Sequence, residues 1–249
     1  MKLLVSARSV EEALAAAAAG ADFIDLKEPA SGALGALPLE TVRAVVAALR
    51  ARHPGRPVSA TVGDFPADAL DPVLERVQLT ADCGVDYVKV GIAPGAHRLL
   101  EALGGCRLPG SAVVPVFMAD AGVDESLLML ALTLPFPALM LDTADKLAGS
   151  LLTQVDGASL QHFIGRARSR GRLSGLAGAL RTDDLPRLQA LGPDFAGFRS
   201  AVCPGARSGT LDAGLVRQLR AALTAGDRGT PPAAAPGHAV DDTPLSAAA

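Results

Sequence analysis

No apolar run in this sequence reaches the ~18 residues that a membrane-spanning helix requires. The longest candidate, "SLLMLALTLPFPALMLD", is broken by Pro135 and Pro137. The chain starts directly on a strand-like segment, with no basic region leading into an apolar one, so no signal peptide and a cytoplasmic setting are expected. Charged residues make up only 20% of the chain and the formal net charge is −3. That balance leaves no basic footprint for nucleic acid or for an anionic membrane surface. The three cysteines, Cys83, Cys106 and Cys203, form no CxxC and are odd in number. They read as small buried apolar residues, with no disulfide framework or structural zinc site. The four histidines, His53, His97, His162 and His238, share no metal-ligand spacing. Neither a metal nor a redox cofactor is signalled.

The most informative shortage is lysine: four residues against 19 arginines. In a chain so rich in Ala, Gly, Arg and Pro, a retained lysine marks a position that arginine cannot fill. Only a primary amine forms an imine or loses its proton near neutral pH.

What is present alternates strand-like runs with helical patterns. Strands are expected at Leu3–Ala7, Phe23–Lys27, Val58–Gly63, Tyr87–Gly91, Ala112–Ala119, Ala138–Thr143, Leu173–Gly178 and Phe195–Ser200. A helical segment follows each of them, the first opening with a capping box from Ser9 to Glu12. Eight such units in about 225 residues predict an α/β chain folded as a single (β/α)8 TIM barrel over residues 1–225. A doubly wound open sheet is the alternative, but no GxGxxG follows the first strand. Residues 226–249, rich in Pro, Ala and Gly, read as a disordered tail.

Lys27 ends the second strand, Lys89 lies near the end of the fourth and Lys146 sits just past the sixth. Barrel active sites form at the C-terminal strand ends, and inward side chains of one layer come from alternate strands. The three lysines are therefore expected on one rim. Asp25, two residues before Lys27, shares its face through the two-residue strand period. Asp142 ends strand six, four residues before Lys146. A cluster of amines and carboxylates can hold one amine neutral as nucleophile while another carries the proton. Glu28, Asp64 and Asp120 also follow strands and read as caps or supporting partners. The last two strand ends, "SGLAGALRTDD" and "GFRSAVCPGARSGTLD", have the glycine-rich character of barrel phosphate loops. Gly175 and Gly178 would allow close backbone approach, Arg199 would add a charged fork, and Ser200 would complete the site. Ser208, Gly209 and Thr210 would open the last helix. The residues thus describe an amine-based enzyme acting on a small phosphorylated carbonyl compound. A Schiff-base aldolase for sugar phosphates and a non-catalytic phosphate-binding barrel remain the rival readings.

The motifs "LLVSARSVEEALAAAAAGADFIDLKEPASGALGA", "VSATVGD", "DYVKVG", "MLDTADK", "GLAGAL" and "GFRSAVC", in this order, resemble the (5-formylfuran-3-yl)methyl phosphate synthase family. That family was formerly named for 4-(hydroxymethyl)-2-furancarboxaldehyde-phosphate. The resemblance implies a (β/α)8 lyase of methanofuran biosynthesis that condenses two glyceraldehyde 3-phosphate molecules, losing phosphate and water. It implies Lys27 as the Schiff-base residue, Lys89 as proton acceptor, and Asp25, Asp142 and Lys146 completing the site. An enamine formed at Lys27 would attack a second aldehyde. A phosphorylated triose is the expected ligand, with no nucleic-acid or membrane partner and a homo-oligomer as the expected assembly.

Overall fold

The computed structural model describes residues 1–66 and 68–227; the part of the expected tail beyond Asp227 lies outside the described residues. Eight parallel strands close into a barrel in sequence order: β1 (Lys2–Ala7), β2 (Phe23–Leu26), β3 (Val58–Thr61), β4 (Tyr87–Ile92), β5 (Ala112–Met118), β6 (Ala138–Asp142), β7 (Leu173–Leu176) and β8 (Phe195–Phe198). Around them lie α1 (Val10–Ala18), α2 (Leu39–Arg52), α3 (Leu70–Ala81), α4 (His97–Gly105), α5 (Glu125–Thr133), α6 (Leu151–Gln154), α7 (Gly157–Ser169), α8 (Leu185–Leu191) and α9 (Ala213–Asp227). Among the described residues, the four-residue α6, ahead of α7, is the one α-helix that the periodicity does not indicate. Among the described residues no helix is long and apolar enough to cross a membrane.

A short repeat sets the barrel floor. Gly20-Ala21-Asp22-Phe23, Gly84-Val85-Asp86-Tyr87 and Gly192-Pro193-Asp194-Phe195 share the pattern Gly-x-Asp-aromatic before β2, β4 and β8. Each glycine has positive φ (101°, 84° and 67°) and turns the chain after a helix. Each aspartate then accepts from an N–H at the start of the preceding strand: Asp22 from Leu3 N (2.8 Å), Asp86 from Val58 N (2.7 Å) and Asp194 from Ser174 N (2.8 Å). The aromatic residue points into the barrel, and Phe23 and Phe195 meet there at 5.8 Å between ring centroids, tilted by 50°. Before β6 the pattern is missing, with Pro137-Ala138 in its place, and the apolar cavity lined by Phe23, Tyr87, Ala138 and Phe195 occupies that end of the interior.

Above this floor the interior is lined by Leu4, Val114, Val116, Met140 and Ala177. Leu34, fully buried, enters the same cluster from the β2–α2 loop, against Gly91 and Met118. Asp64 fastens that loop by accepting from Leu34 N (3.2 Å). Leu34 thus packs on the β4–β5 side of the C-terminal mouth, and the pocket is lined mainly from β1, β2, β6, β7, β8 and the loops after them, with Lys89 reaching it from β4. A larger apolar cluster fills the space between strands and helices. Cys83 and Cys203 are buried as expected, whereas Cys106 is half-buried, and all three are free thiols.

Gly175 belongs to the floor and not to a phosphate loop. It pairs with Phe195 across β7 and β8, and a Cβ there would lie inside the Phe195 ring. Gly175→Ala is expected to destabilise the protein by ~1–3 kcal/mol through overpacking. Urea denaturation checks this, and adding Phe195→Leu should recover much of the loss.

Candidate active site

The functional side chains occupy two layers at the C-terminal half of the barrel. In the deeper layer, Asp25 of β2 is fully buried and accepts from three donors: Lys89 Nζ (2.8 Å), Ser59 Oγ (2.6 Å) and Ser6 Oγ (3.1 Å). The strand registers Ser6↔Asp25 and Asp25↔Ser59 place both serines beside it. Burial alone would raise the Asp25 carboxyl, but Lys89, then Lys27, and the Lys89 and Ser59 hydrogen bonds hold it below the usual carboxylate range.

One layer higher, Asp142 at the end of β6 lies between two amines. Lys146 Nζ donates to Asp142 Oδ1 and to the Thr143 carbonyl, and Thr143 N donates to Asp142 Oδ1 at 2.8 Å. Lys27 Nζ stands 3.8 Å from Asp142 Oδ2, an ion-pair separation without a hydrogen bond. Asp142 Oδ2 is fully enclosed and has no hydrogen-bond partner. Burial tends to raise the Asp142 carboxyl too, and the Lys27 and Lys146 charges hold it low. For Lys27, burial pushes the pKa below the ordinary lysine range, opposed by Asp142 and Asp25 and aided by Lys89 and Arg207. Lys146 is lowered to about 8, again chiefly by burial.

The three lysines therefore converge, but not on one rim. Lys27 and Lys146 flank Asp142 in the upper layer, while Lys89 lies beneath, beside Asp25, and also reaches the apolar cavity below. Lys27 itself falls one residue past the end of β2, and Lys146 sits in the β6–α6 loop. Asp120 holds that loop by accepting from Ala144 N and Asp145 N, and Glu28 accepts from Ala30 N. Glu28, Asp64 and Asp120 thus serve as the supporting partners that their positions suggest.

The phosphate-loop residues separate into four groups. Gly178 lines the pocket with φ 114°, and Ala179 beside it also has positive φ, 47°. Among the described residues, the N–H groups of Gly178, Ala179 and Leu180 donate to no protein acceptor, nor do those of Ser200 and Ala201. Ser200 lines the same pocket. Gly175, by contrast, lies in the floor beneath Phe195. Arg199 is at the pocket wall, but its donors are consumed by protein. Nε donates to Arg207 O (2.9 Å), Nη1 to Ser6 O (3.1 Å) and Glu12 Oε2 (2.6 Å), and Nη2 to Glu12 Oε1 (3.1 Å) and Gly209 O (2.5 Å). A guanidinium with five donors so engaged has no fork left for a ligand. Ser208 to Thr210 precede α9 without starting it; Asp212 caps that helix through Gly214 N and Leu215 N.

Ser6, Ser59 and Thr143 are not indicated by the lysine pattern or the glycine-rich loops, and Arg207 lies within the last glycine-rich stretch without being singled out by it. The two serines occupy inward strand positions, where the two-residue period is the signal that marks them. Arg207 sits in a long loop with no periodic cue. Only half of the expected capping box forms. Glu12 N donates to Ser9 Oγ at 3.3 Å, but the Glu12 carboxylate turns to Arg8 N, Leu211 N and Arg199.

Known proteins with this architecture and sequence identify its relatives. A family model described as 4-HFC-P synthase matches residues 3–220. A relative from Methylorubrum extorquens is 38% identical, covering 91% of this chain and 93% of its own length. The (5-formylfuran-3-yl)methyl phosphate synthase of Methanosarcina mazei is 34% identical, with 88% and 97% covered. That of Methanocaldococcus jannaschii is 35% identical, with 88% and 98% covered. Among solved structures, phosphoribosyl anthranilate isomerase from Thermus thermophilus superposes with a TM-score of 0.63 at 19% identity, over 90% of this chain and 99% of that one. That likeness bears on the barrel alone. Identity and coverage together place this chain in the 4-HFC-P synthase family.

Proposed function

We propose that the protein is a (5-formylfuran-3-yl)methyl phosphate synthase that works through an imine at Lys27. The observation carrying this reading is the pairing of a buried, depressed amine with a hydrogen-bond-free carboxylate oxygen 3.8 Å away. An amine kept partly neutral attacks an aldehyde, and Asp142 Oδ2 is placed to accept and return the proton as the carbinolamine loses water. The resulting iminium draws electrons from the neighbouring carbon and makes its proton acidic. Lys89, linked to Asp25, is the relay for that proton from the layer below. Lys146, an ammonium below a pH of about 8, is the acid for the departing groups.

The substrate we assign is glyceraldehyde 3-phosphate, used twice. Two such trioses, less one phosphoric acid and two waters, contain the atoms of the furan phosphate. The shortest balanced route begins with the imine on Lys27. Loss of the proton from its second carbon expels phosphate from the third. That third carbon is now the end of a C=C bond conjugated with the iminium. The second carbon of the other triose attacks it after giving up its proton, and the electron pair returns to the Lys27 nitrogen. The union is not at the aldehyde carbon as in a simple aldol step. The joined chain carries two carbonyls in a 1,4 relation; ring closure and loss of a hydroxyl release the two waters. The phosphate kept in the product belongs to the second triose. The furan product would enter methanofuran biosynthesis, which the family resemblance supports.

Incubation with glyceraldehyde 3-phosphate alone should generate the near-ultraviolet absorbance of a furan aldehyde. Borohydride added during turnover should attach a triose-derived mass to the peptide holding Lys27. Lys27→Arg should lose activity by at least ~10³-fold with the fold retained. An active preparation yielding an aldol product without the chromophore would reassign it as an aldolase.

The pH dependence follows from two amines of opposite requirement. Lys27 must be neutral, so kcat/KM should rise with pH along a limb set below the ordinary lysine range. Lys146 must be charged, so the rate should fall as pH passes about 8. Arginine does not titrate in this range, so in Lys146→Arg the alkaline limb should disappear from whatever activity remains. A limb persisting near pH 8 would show that another group produces it.

A further inference from the structure

We infer that Arg207 is the cation that recognises substrate phosphate, and that the buried Glu12–Arg199 pair is the device that positions it. The inference rests on the reading of the pocket as a phosphate-ester site and assigns a residue to it. Arg207 is half-buried and lines the pocket with Lys27, Asp142, Lys146, Gly178 and Ser200. Among the described residues its guanidinium makes no hydrogen bond. The neighbouring Arg199 is the opposite case, with every donor engaged. A planar fork with free donors, facing a pocket, fits two oxygens of a phosphate.

Charge balance points the same way. Lys27, Lys89, Lys146 and Arg207 face only two pocket carboxylates, Asp25 and Asp142. Arg199 does not add to the excess, because Glu12 neutralises it. With Lys27 neutral, as imine formation requires, and the other amines protonated, the pocket still carries one uncompensated positive charge, which favours an anionic phosphate. Arg207 is also near enough to depress both Lys27 and Lys146. Among the described residues, the unpaired N–H groups of the pocket-lining Gly178, Ala179 and Ser200 supply neutral donors.

The loop carrying Arg207 has no helix or strand to hold it, since the chain between Cys203 and α9 is irregular. Arg199 ties it down by donating to the carbonyls of Arg207 and Gly209. Glu12 anchors the tie by accepting from both Nη atoms and, further along the loop, from Leu211 N (3.1 Å). Glu12 and Arg199 touch no ligand in this scheme; they act through the backbone of Arg207 itself and of the residues that follow it.

The probe is inorganic phosphate, titrated calorimetrically at constant ionic strength into the full chain. Arg207→Gln should weaken its binding by ~10- to 100-fold, the loss expected for hydrogen bonds to a charged group. Arg207→Lys should recover part of it. Because the Arg207 charge also bears on Lys27, borohydride trapping is read as a ratio: in Arg207→Gln the advantage of the phosphorylated triose over unphosphorylated glyceraldehyde should disappear, whatever common change the two aldehydes share. Phosphate affinity within twofold of the parent, at an equal melting temperature, would overturn the assignment. So would an equal loss of trapping with both aldehydes, since Arg207 would then act on the amine. Glu12→Gln should weaken phosphate binding in the parent and add little in the Arg207→Gln background. Fully additive losses would overturn the positioning role. If Glu12→Gln does not fold, Arg207→Gln and Arg207→Lys still decide the recognition. A parent protein that binds phosphate but makes no furan would sink the proposed activity and leave this assignment standing.

Discussion

The structure around the mouth of the barrel depends on keeping several charges out of water without leaving any of them alone. An isolated ion buried in a protein interior costs several kcal/mol even after relaxation. Asp25 and Lys89 meet that constraint together, at 2.8 Å and with two serine hydroxyls on the carboxylate. Asp142 meets it by lying between Lys27 and Lys146. Well-packed apolar residues in place of such buried pairs are often as stabilising or more so, so stability alone does not account for these groups. Their compensation is incomplete in one place. Lys27 is close enough to Asp142 for attraction but makes no hydrogen bond to it, and the enclosed Oδ2 has no hydrogen-bond partner among the described residues.

Glu12 shows how one residue can connect local and long-range structure. Its place in the first turn of α1 is dictated by helix capping, and Ser9 accepts from its N–H accordingly. Its carboxylate, however, spans to β8 and to the loop before α9, joining the first and last units of the closed barrel. The Gly-x-Asp-aromatic repeat does comparable work at the opposite end. There it turns the chain, ties adjacent strands and seats an aromatic ring in the floor within four residues. The layers of charged side chains are built directly on this floor: Asp25 is two residues beyond Phe23, and Lys89 two beyond Tyr87.

Much of the site is legible in the order of residues alone. Strand alternation places Asp25 and Lys27 on one face, and the scarcity of lysine singles out Lys89 and Lys146. The floor repeat is harder to see, because its copies are separated by unequal intervals. Arg199 misleads for a physical reason. An arginine after a late barrel strand, next to glycines, has the composition of a phosphate loop. Nothing local reveals that Glu12, nearly two hundred positions away, already holds it. Gly175 misleads likewise: its glycine is required by the Phe195 ring and not by a ligand.

Residue order is enough to specify the eight-unit barrel, the family and the identity of the amines and carboxylates, because these follow from periodicities and residue types that local chemistry imposes. Closure of the barrel settles the rest: which amine stands beside which carboxylate, that Lys89 lies a layer below Lys27, and which arginine has free donors. Those outcomes depend on strand register and on loops meeting across the mouth. Distances between residues far apart in the chain are set only when the first and last strands pair.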